Sequence, residues 1–404
     1  MKIKKIKSVS KTRVLMAMSG GVDSSVVAKL LVDQGYEVVG IFLHFWKEPN
    51  TSNSFYQNGI SQGGYSNFEN KCCSTEAFMD ARRVCNKIGI PLYTFNFSKI
   101  FKKQVVDNFL SEYKIGKTPN PCVRCNKFVK LGNLIKQAKK LGFDYVATGH
   151  YSKKLKVESL KLVENSKLKV KSLKSVKNSE LKVKYKLYKA KDEKKDQSYF
   201  LYTFSQDELG YLLFPLGDYT KQQVRLLAKK FKLPVAEKKE SQEICFISEK
   251  SHNEFLKRHI KLKSGDIKTL DNKIIGKHQG LPLYTIGQRK GIDIGGNGPF
   301  YAAKTDYKTN TLYVVNDNND PALFSNQLII DNVNWLSEQA PKFPLNCQAV
   351  IRYHHKAVEC VVSNLKNKKN NLLVKFIQPQ RAITPGQSVV FYKKEEAIGG
   401  GIIC

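Results

Sequence analysis

Acidic residues are scarce in this chain: 35 Asp and Glu stand against 68 Lys and Arg, a formal charge of +33 over 404 residues. A surplus of that size favours a polyanionic partner through counterion release, and nucleic acid is the leading candidate. Long apolar runs are missing as well. None approaches the ~20 residues of a membrane span, and the basic start MKIKKIKSVSKTR lacks the apolar core of a secretory signal, so no membrane association and a cytoplasmic location are expected. In that reducing compartment nine cysteines do not read as a disulfide framework, and the question becomes which thiols are reactive. Two familiar nucleotide fingerprints are absent too, because no GK[ST] follows a glycine loop at Walker spacing and no GxGxxG occurs.

What is present is Val14 to Ser25, VLMAMSGGVDSS. Five apolar residues suit a strand buried on both faces, and the run breaks at a Gly/Ser turn, after which Val26, Val27, Leu30 and Leu31 recur at helical spacing. Gly20 and Gly21 let the backbone approach a bulky anion, while the loop amides, the hydroxyls of Ser19, Ser24 and Ser25, and the helix field favour phosphate. Further α/β units follow. Glu37 to Leu43 reads as a second buried strand, Ser74 as the cap of a helix ended by Gly89, residues 91 to 96 as a third strand, and Tyr145 to Thr148 as a fourth running into Gly149 and His150. Ligands of open α/β sheets sit at that carboxyl edge, which places Leu43, Gly149 and His150 at site positions.

The turn SGGVDS resembles the PP-loop of ATP pyrophosphatases. That resemblance implies a Rossmann-like parallel-sheet domain that cleaves ATP between the α and β phosphates. It implies nucleotide contacts from Ala17, Met18, Ser19, Gly20, Gly21, Val22, Asp23, Ser24, Leu43 and Gly149, and Asp23 helping to hold magnesium and pyrophosphate.

A second segment, TPNPCVRCNK at 118 to 127, carries two prolines, which predict an extended, stiff loop presenting Cys122 and Cys125 beside Arg124 and Lys127. Basic neighbours lower a thiol pKa. A CxxC pair reads equally as part of a zinc or iron-sulfur ligand set or as a redox pair. Here the chain resembles the tRNA-specific 2-thiouridylases, whose TPNPxxxCN segment holds a cysteine nucleophile at the position of Cys125. Asn120, Pro121 and Cys122 fall where that family meets the target base, and Cys122 stands where many members have Asp.

Further on, KDQSYFLY at 195 to 202 matches the family, implying tRNA contacts from Lys195, Asp196 and Gln197, to which His150 is added. ESQEICF at 240 to 246 resembles the stretch around the family's second cysteine, here Cys245, which would carry a persulfide and pair with Cys125 in a redox disulfide. RYHH and TPGQSVVFY imply that Arg352, Tyr353 and Gln387 lie against the tRNA. By itself a Cys between Ile and Phe is a buried apolar residue, as are Cys72, Cys73, Cys85, Cys347, Cys360 and Cys404, which sit in no motif.

Between these segments, residues 154 to 187 repeat at a period of about 13: KLKVESLKLVENS, KLKVKSLKSVKNS, ELKVKYKL. From 152 to 195 there are 16 lysines and 5 acids. Such composition stays solvated, as a surface loop or an accessory arm for RNA. Past Gly265 short alternating runs predict an all-β region closing into a small barrel.

The expected domains are a catalytic one over 1–208 carrying the Lys-rich insertion at about 153–187, a central tRNA-binding one over 209–282 and a C-terminal β-barrel over 283–404. The reaction that the resemblance implies is transfer of AMP from ATP, with magnesium, to the C2 oxygen of the wobble uridine, followed by delivery of persulfide sulfur. Its partners would be the tRNA anticodon loop and a cysteine desulfurase or sulfur-relay carrier, with a monomer as the working expectation. Another PP-loop tRNA enzyme with an iron-sulfur cluster on the CxxC cysteines is the alternative.

Overall fold

The computed structural model describes residues 11–46, 73–159, 182–239, 245–247, 252–292, 294–295, 298–365 and 370–404. The Asn-rich stretch 50–70, Cys72, the repeat from 160 to 181 and the Glu240–Ile244 part of the second cysteine segment lie outside them.

Strand β1 (Arg13–Met18) leads through the glycine turn into helix α1 (Val22–Asp33), then β2 (Glu37–His44), α2 (Thr75–Ile88) and β3 (Leu92–Asn96). The expected punctuation holds: Ser74 accepts from the Ala77 amide at the start of α2, and Gly89 closes it in the left-handed conformation. Helix α3 (Ser98–Phe101) runs through a π turn at Lys102–Val106 into α4 (Asp107–Lys114).

Pro119 lies in the irregular segment 117–120, but Pro121 does not prolong it as a loop. Pro121 is the first residue of helix α5 (Pro121–Cys125), which continues through a second π turn, Asn126–Lys130, into α6 (Gly132–Lys140). Proline at the first helical position loses no hydrogen bond, because that N–H has no intrahelical partner anyway, and its fixed φ suits the turn. The side chain of Asn120 supplies the cap, accepting from the amides of Cys122 and Val123, both at 3.2 Å.

Strand β4 (Tyr145–Ala147) is followed by a hairpin, β5 (Lys153–Ser159) and β6 (Lys182–Tyr188). The ends of the Lys-rich segment are therefore paired strands rather than loop. Helix α7 (Gln206–Tyr211), β7 (Leu212–Leu213) and α8 (Lys221–Lys230) complete the first unit. Its sheet is fully parallel in the order β3-β2-β1-β4-β7, so the strand order reverses beside β1, which sits between β2 and β4. Both faces are covered at β1 and β2, which is why those two strands read as continuous apolar runs, whereas the edge strand β3 is largely exposed.

Helix α9 (His252–His259) opens the second unit, whose sheet combines β8 (Gly265–Lys268), β9 (Ile274–His278), β10 (Tyr301–Asp306) and β11 (Thr311–Val315). Six antiparallel strands form the third: β12 (Phe324–Trp335), β13 (Leu345–Val350), β14 (Val358–Asn364), β15 (Leu372–Arg381), β16 (Ser388–Lys393) and β17 (Glu396–Ile403). They close into a barrel because β12 pairs with both β15 and β17. The β5–β6 hairpin adds to its outside through Leu187 opposite Ala397.

Strand pairing crosses both expected limits: β7 pairs with β4 of the first sheet across 208/209, and Ile267 of β8 lies opposite Leu312 of β11 across 282/283. Among the other cysteines, Cys85, Cys347 and Cys360 are buried, whereas the terminal Cys404 is exposed and does not pack in a core.

Candidate active site

Main-chain geometry shapes the first loop. Gly20 sits at φ +70°, and a Cβ on it would lie 2.1 Å from the Ala77 carbonyl oxygen, so only glycine fits. Ser24 and Ser25 turn inward and donate to the Gly21 carbonyl at 3.2 and 2.8 Å, while Ser19 stays exposed with its hydroxyl 3.1 Å from that of Ser24. Those bonds brace the turn at the mouth of α1. Ala17 and Met18 are buried at the end of β1, and Leu43 is buried at the end of β2.

Gly149 closes the other wall. A Cβ there would meet the Ser24 amide at 2.9 Å and the Asp23 Cβ at 3.1 Å, so the loop after β4 lies directly against the first turn of α1. His150 does not reach solvent: it is 6% exposed and its Nδ1 lies 2.8 Å from the Thr148 hydroxyl. Burial, with the charge of Lys130 nearby, pushes its pKa well below the ordinary histidine value, so the ring is neutral. It braces the loop from beneath through Thr148.

Asp23 has a partner that the sequence did not announce. The ammonium of Lys221, from the start of α8, donates to both carboxylate oxygens at 2.7 and 2.8 Å, and the Tyr151 hydroxyl donates at 2.8 Å. Among the described residues no three His, Cys, Asp or Glu side chains gather as a metal cage. Asp23 alone, facing an ammonium, is not a resident magnesium site; an ion here fits only as one carried by nucleotide phosphates.

Tyr151 in turn is clamped by Gln197, whose side-chain oxygen accepts from the Tyr151 amide at 3.0 Å and whose own amide donates to the Tyr151 carbonyl at 2.8 Å. Asp196 accepts from the Ala190 and Ser198 amides and from the Ser198 hydroxyl at 2.9, 3.2 and 2.7 Å; burial raises its pKa while these bonds oppose the rise. Asp196 and Gln197 are thus spent on internal bonds, and Lys195 donates its amide to the Asp192 carbonyl. Two residues further, the Tyr199 hydroxyl bonds to the Ser388 carbonyl at 2.8 Å and interacts with the Asn120 side chain. One short stretch, 196–200, therefore ties the carboxylate of the glycine turn to the cap of the cysteine helix.

On that helix Cys122 is exposed and Cys125 half-buried. Arg124 is not free to act on a thiol: its guanidinium donates to the Gln104 carbonyl and to the Gln104 side chain and lies 4.9 Å from the Phe128 ring. Lys127 is paired with Glu208 at 2.6 Å. Cys245 is half-buried, and its neighbour Phe246 packs edge-on against Phe101 at 5.7 Å and Phe109 at 5.4 Å. Gln104, Phe101 and Phe109 all belong to the run Ser98–Lys114, so the segments of both cysteines dock on one helix, and Cys125 and Cys245 pack against the same core.

The barrel reaches this place. Gln387 donates to the carbonyls of Thr118 and Pro119 at 2.7 and 3.4 Å, the Thr118 amide donates to the Pro385 carbonyl at 2.8 Å, and the Thr118 hydroxyl meets that of Thr285 from the central unit at 3.1 Å. Arg352 donates to the Ala382 carbonyl and the Thr384 hydroxyl at 3.2 and 3.1 Å. Tyr353 lies against Phe200 at 4.4 Å and interacts with Cys122; burial pushes its pKa up to about 12, so it remains a neutral donor.

The profile described as the tRNA methyl transferase HUP domain matches residues 12–249, that of the tRNA methyl transferase PRC-barrel domain 253–316, and that of the aminomethyltransferase beta-barrel domain 325–403. The chain is 42% identical over 393 residues to the tRNA-specific 2-thiouridylase MnmA 1 of Caldanaerobacter subterraneus, covering 97% of each. It is 42% identical to the MnmA of Carboxydothermus hydrogenoformans, covering 98% of each. With the MnmA of Legionella pneumophila the identity is 41%, over 97% of this chain and 98% of that one.

Proposed function

The chain belongs to the tRNA-specific 2-thiouridylase family, and from that premise we propose how its residues carry out thiolation of tRNA. ATP binds with its phosphates at Ser19 to Ser24. The C2 oxygen of the wobble uridine, at position 34 of the anticodon, attacks the α-phosphorus and pyrophosphate departs. The C2–O bond is thereby given a good leaving group, AMP. A persulfide on Cys245 then adds its outer sulfur to C2, and AMP leaves. Cys125 attacks the inner sulfur of Cys245, so C2=S is released and a Cys125–Cys245 disulfide remains, oxidised by the two electrons that reduced the transferred sulfur. The base must leave its stack, which costs least in a single-stranded loop.

Magnesium belongs to this reading as an ion brought by the phosphates, with Asp23 as its protein carboxylate. A cysteine desulfurase or a relay carrier supplies the persulfide, and the cytoplasm is the compartment. Gly149 and Leu43 line the nucleotide; Asn120, Pro121, Cys122, Lys195, Arg352, Tyr353 and Gln387 stand on the tRNA side.

The observation that carries the proposal is the docking of both cysteine segments on the helix Ser98–Lys114, with residues 196–200 joining Asn120 to Tyr151 and so to Asp23. Incubating the purified chain with ATP, magnesium, unmodified tRNA and a cysteine desulfurase with cysteine as the sulfane-sulfur donor should give tRNA-dependent pyrophosphate release and a thiolated uridine on nucleoside analysis. Failure to form thiolated uridine, or its undiminished formation by Cys125→Ser and Cys245→Ser, would overturn the reading.

A further inference from the structure

We propose that Cys122 is a third redox thiol of the catalytic cycle, which reopens the Cys125–Cys245 disulfide and carries the oxidation to the surface; this rests on the sulfur-transfer reading above. The problem it solves is one of access. Cys125 and Cys245 are both half-buried and both packed against the core, which hinders a folded reductant at a disulfide between them, whereas Cys122 is exposed.

The local geometry supplies the attack. Asn120 caps the helix immediately before Pro121, and the Asn126 amide donates to the Cys122 carbonyl, so Cys122 and Cys125 occupy successive turns of one helix. Positions three apart on a helix have Cβ atoms about 5–6 Å from each other, and a disulfide needs about 3.5–4.5 Å, a gap that a slight opening of the first turn closes. On the outer side Cys122 lies within electrostatic reach of Tyr353, whose hydroxyl stays neutral.

The Cys122 thiolate attacks the sulfur of Cys125, the S–S bond to Cys245 breaks, and the proton lost by Cys122 is regained by Cys245. No oxidant is consumed: one disulfide is exchanged for another. Cys245 is then free to be loaded again, and the exposed Cys122–Cys125 disulfide is reduced by an external dithiol. A carboxylate at position 122 could serve proton transfer but could not perform this exchange.

The test is peptide mapping of the disulfide left after one turnover, with persulfide-loaded protein, ATP and tRNA but no reductant. The full chain should hold Cys122–Cys125, and Cys122→Ser and Cys122→Asp should hold Cys125–Cys245. In repeated turnover driven by a protein dithiol, either variant should lose about tenfold relative to its first turnover, and a small dithiol should restore it. A Cys125–Cys245 disulfide in the unaltered chain, with thiolated uridine formed, would overturn the relay alone. If Cys122→Ser forms thiolated uridine without any Cys125–Cys245 disulfide, both the relay and the sulfur-transfer reading fall.

Discussion

Lys221 and Asp23 are 198 positions apart, yet the lysine ammonium donates to both oxygens of the aspartate at 2.7 and 2.8 Å. The pair puts a cation at the first turn of α1, where pyrophosphate would build charge. Lys221→Met should leave Asp23 with Tyr151 only and remove that cation, lowering ATP-dependent pyrophosphate release by about 100-fold, the size of effect seen when one electrostatic group is removed from a reacting centre. Tyr151→Phe should cost less, since the ammonium remains. Pyrophosphate release at saturating tRNA measures both, and an unchanged rate in Lys221→Met would remove the lysine from the reaction.

The two walls of the same crevice should tolerate no side chain. Gly149→Ala would drive a methyl group to within 2.9 Å of the Ser24 amide, and Gly20→Ala would add left-handed strain to a 2.1 Å approach to the Ala77 carbonyl. Each should destabilise the chain by about 1–3 kcal/mol and raise the KM for ATP, with Gly20→Ala the worse. Denaturant unfolding with and without nucleotide separates the two effects.

Much of this crevice was legible because its signals are local. The apolar run, the glycine turn and the cap at Ser74 each act within a few residues, and they appear as read. What escaped depends on distant partners or on a breaker in a permitted place. Pro121 suggested a loop, although Asn120 before it was already the cap that a helix wants. Lys221 follows Thr220 at the opening of a helix and carries no local mark of its attachment to Asp23. Asp196 and Gln197 are bonded to Ser198 and Tyr151, partners that no neighbouring residue signals. The alternation in KKLKV at 153–157 was a strand signal hidden under lysine composition.

Gln387 holds the Thr118 carbonyl from the barrel, so its loss should loosen the cysteine helix more than the nucleotide site. Gln387→Leu leaves that carbonyl without its donor, a cost of about 1–2 kcal/mol. The rate of thiolation should fall severalfold while the KM for ATP stays near its original value. Comparing thiolated uridine with pyrophosphate under the same conditions makes the distinction; equal losses in both would mean that the clamp serves the whole fold.

Lys154 gives a pH signature from outside the active site. Burial pushes its pKa down to about 8, even though its ammonium donates to the Leu209 and Gly210 carbonyls at 2.9 and 3.3 Å and lies 4.6 Å from the Tyr185 ring. In the unfolded chain the same group titrates near 10.4. Between those values the unfolded state binds more protons than the folded one, so this lysine makes stability rise with pH from about 8 to 10.4 and lowers it below that window, where the buried amine must be charged. The full shift corresponds to roughly 3 kcal/mol, and solvent screening at a partly exposed site reduces it to about 1–2 kcal/mol. Lys154→Met, which keeps the stem and the aromatic contact, should flatten that rise. Because the lysine anchors the base of the β5–β6 hairpin to the end of α7, the variant should gain stability near pH 7 if desolvation of the charge outweighs its two carbonyl bonds. Urea midpoints at pH 7, 8, 9 and 10 decide it: parallel curves for the two proteins would show that Lys154 keeps its ordinary pKa in the folded chain.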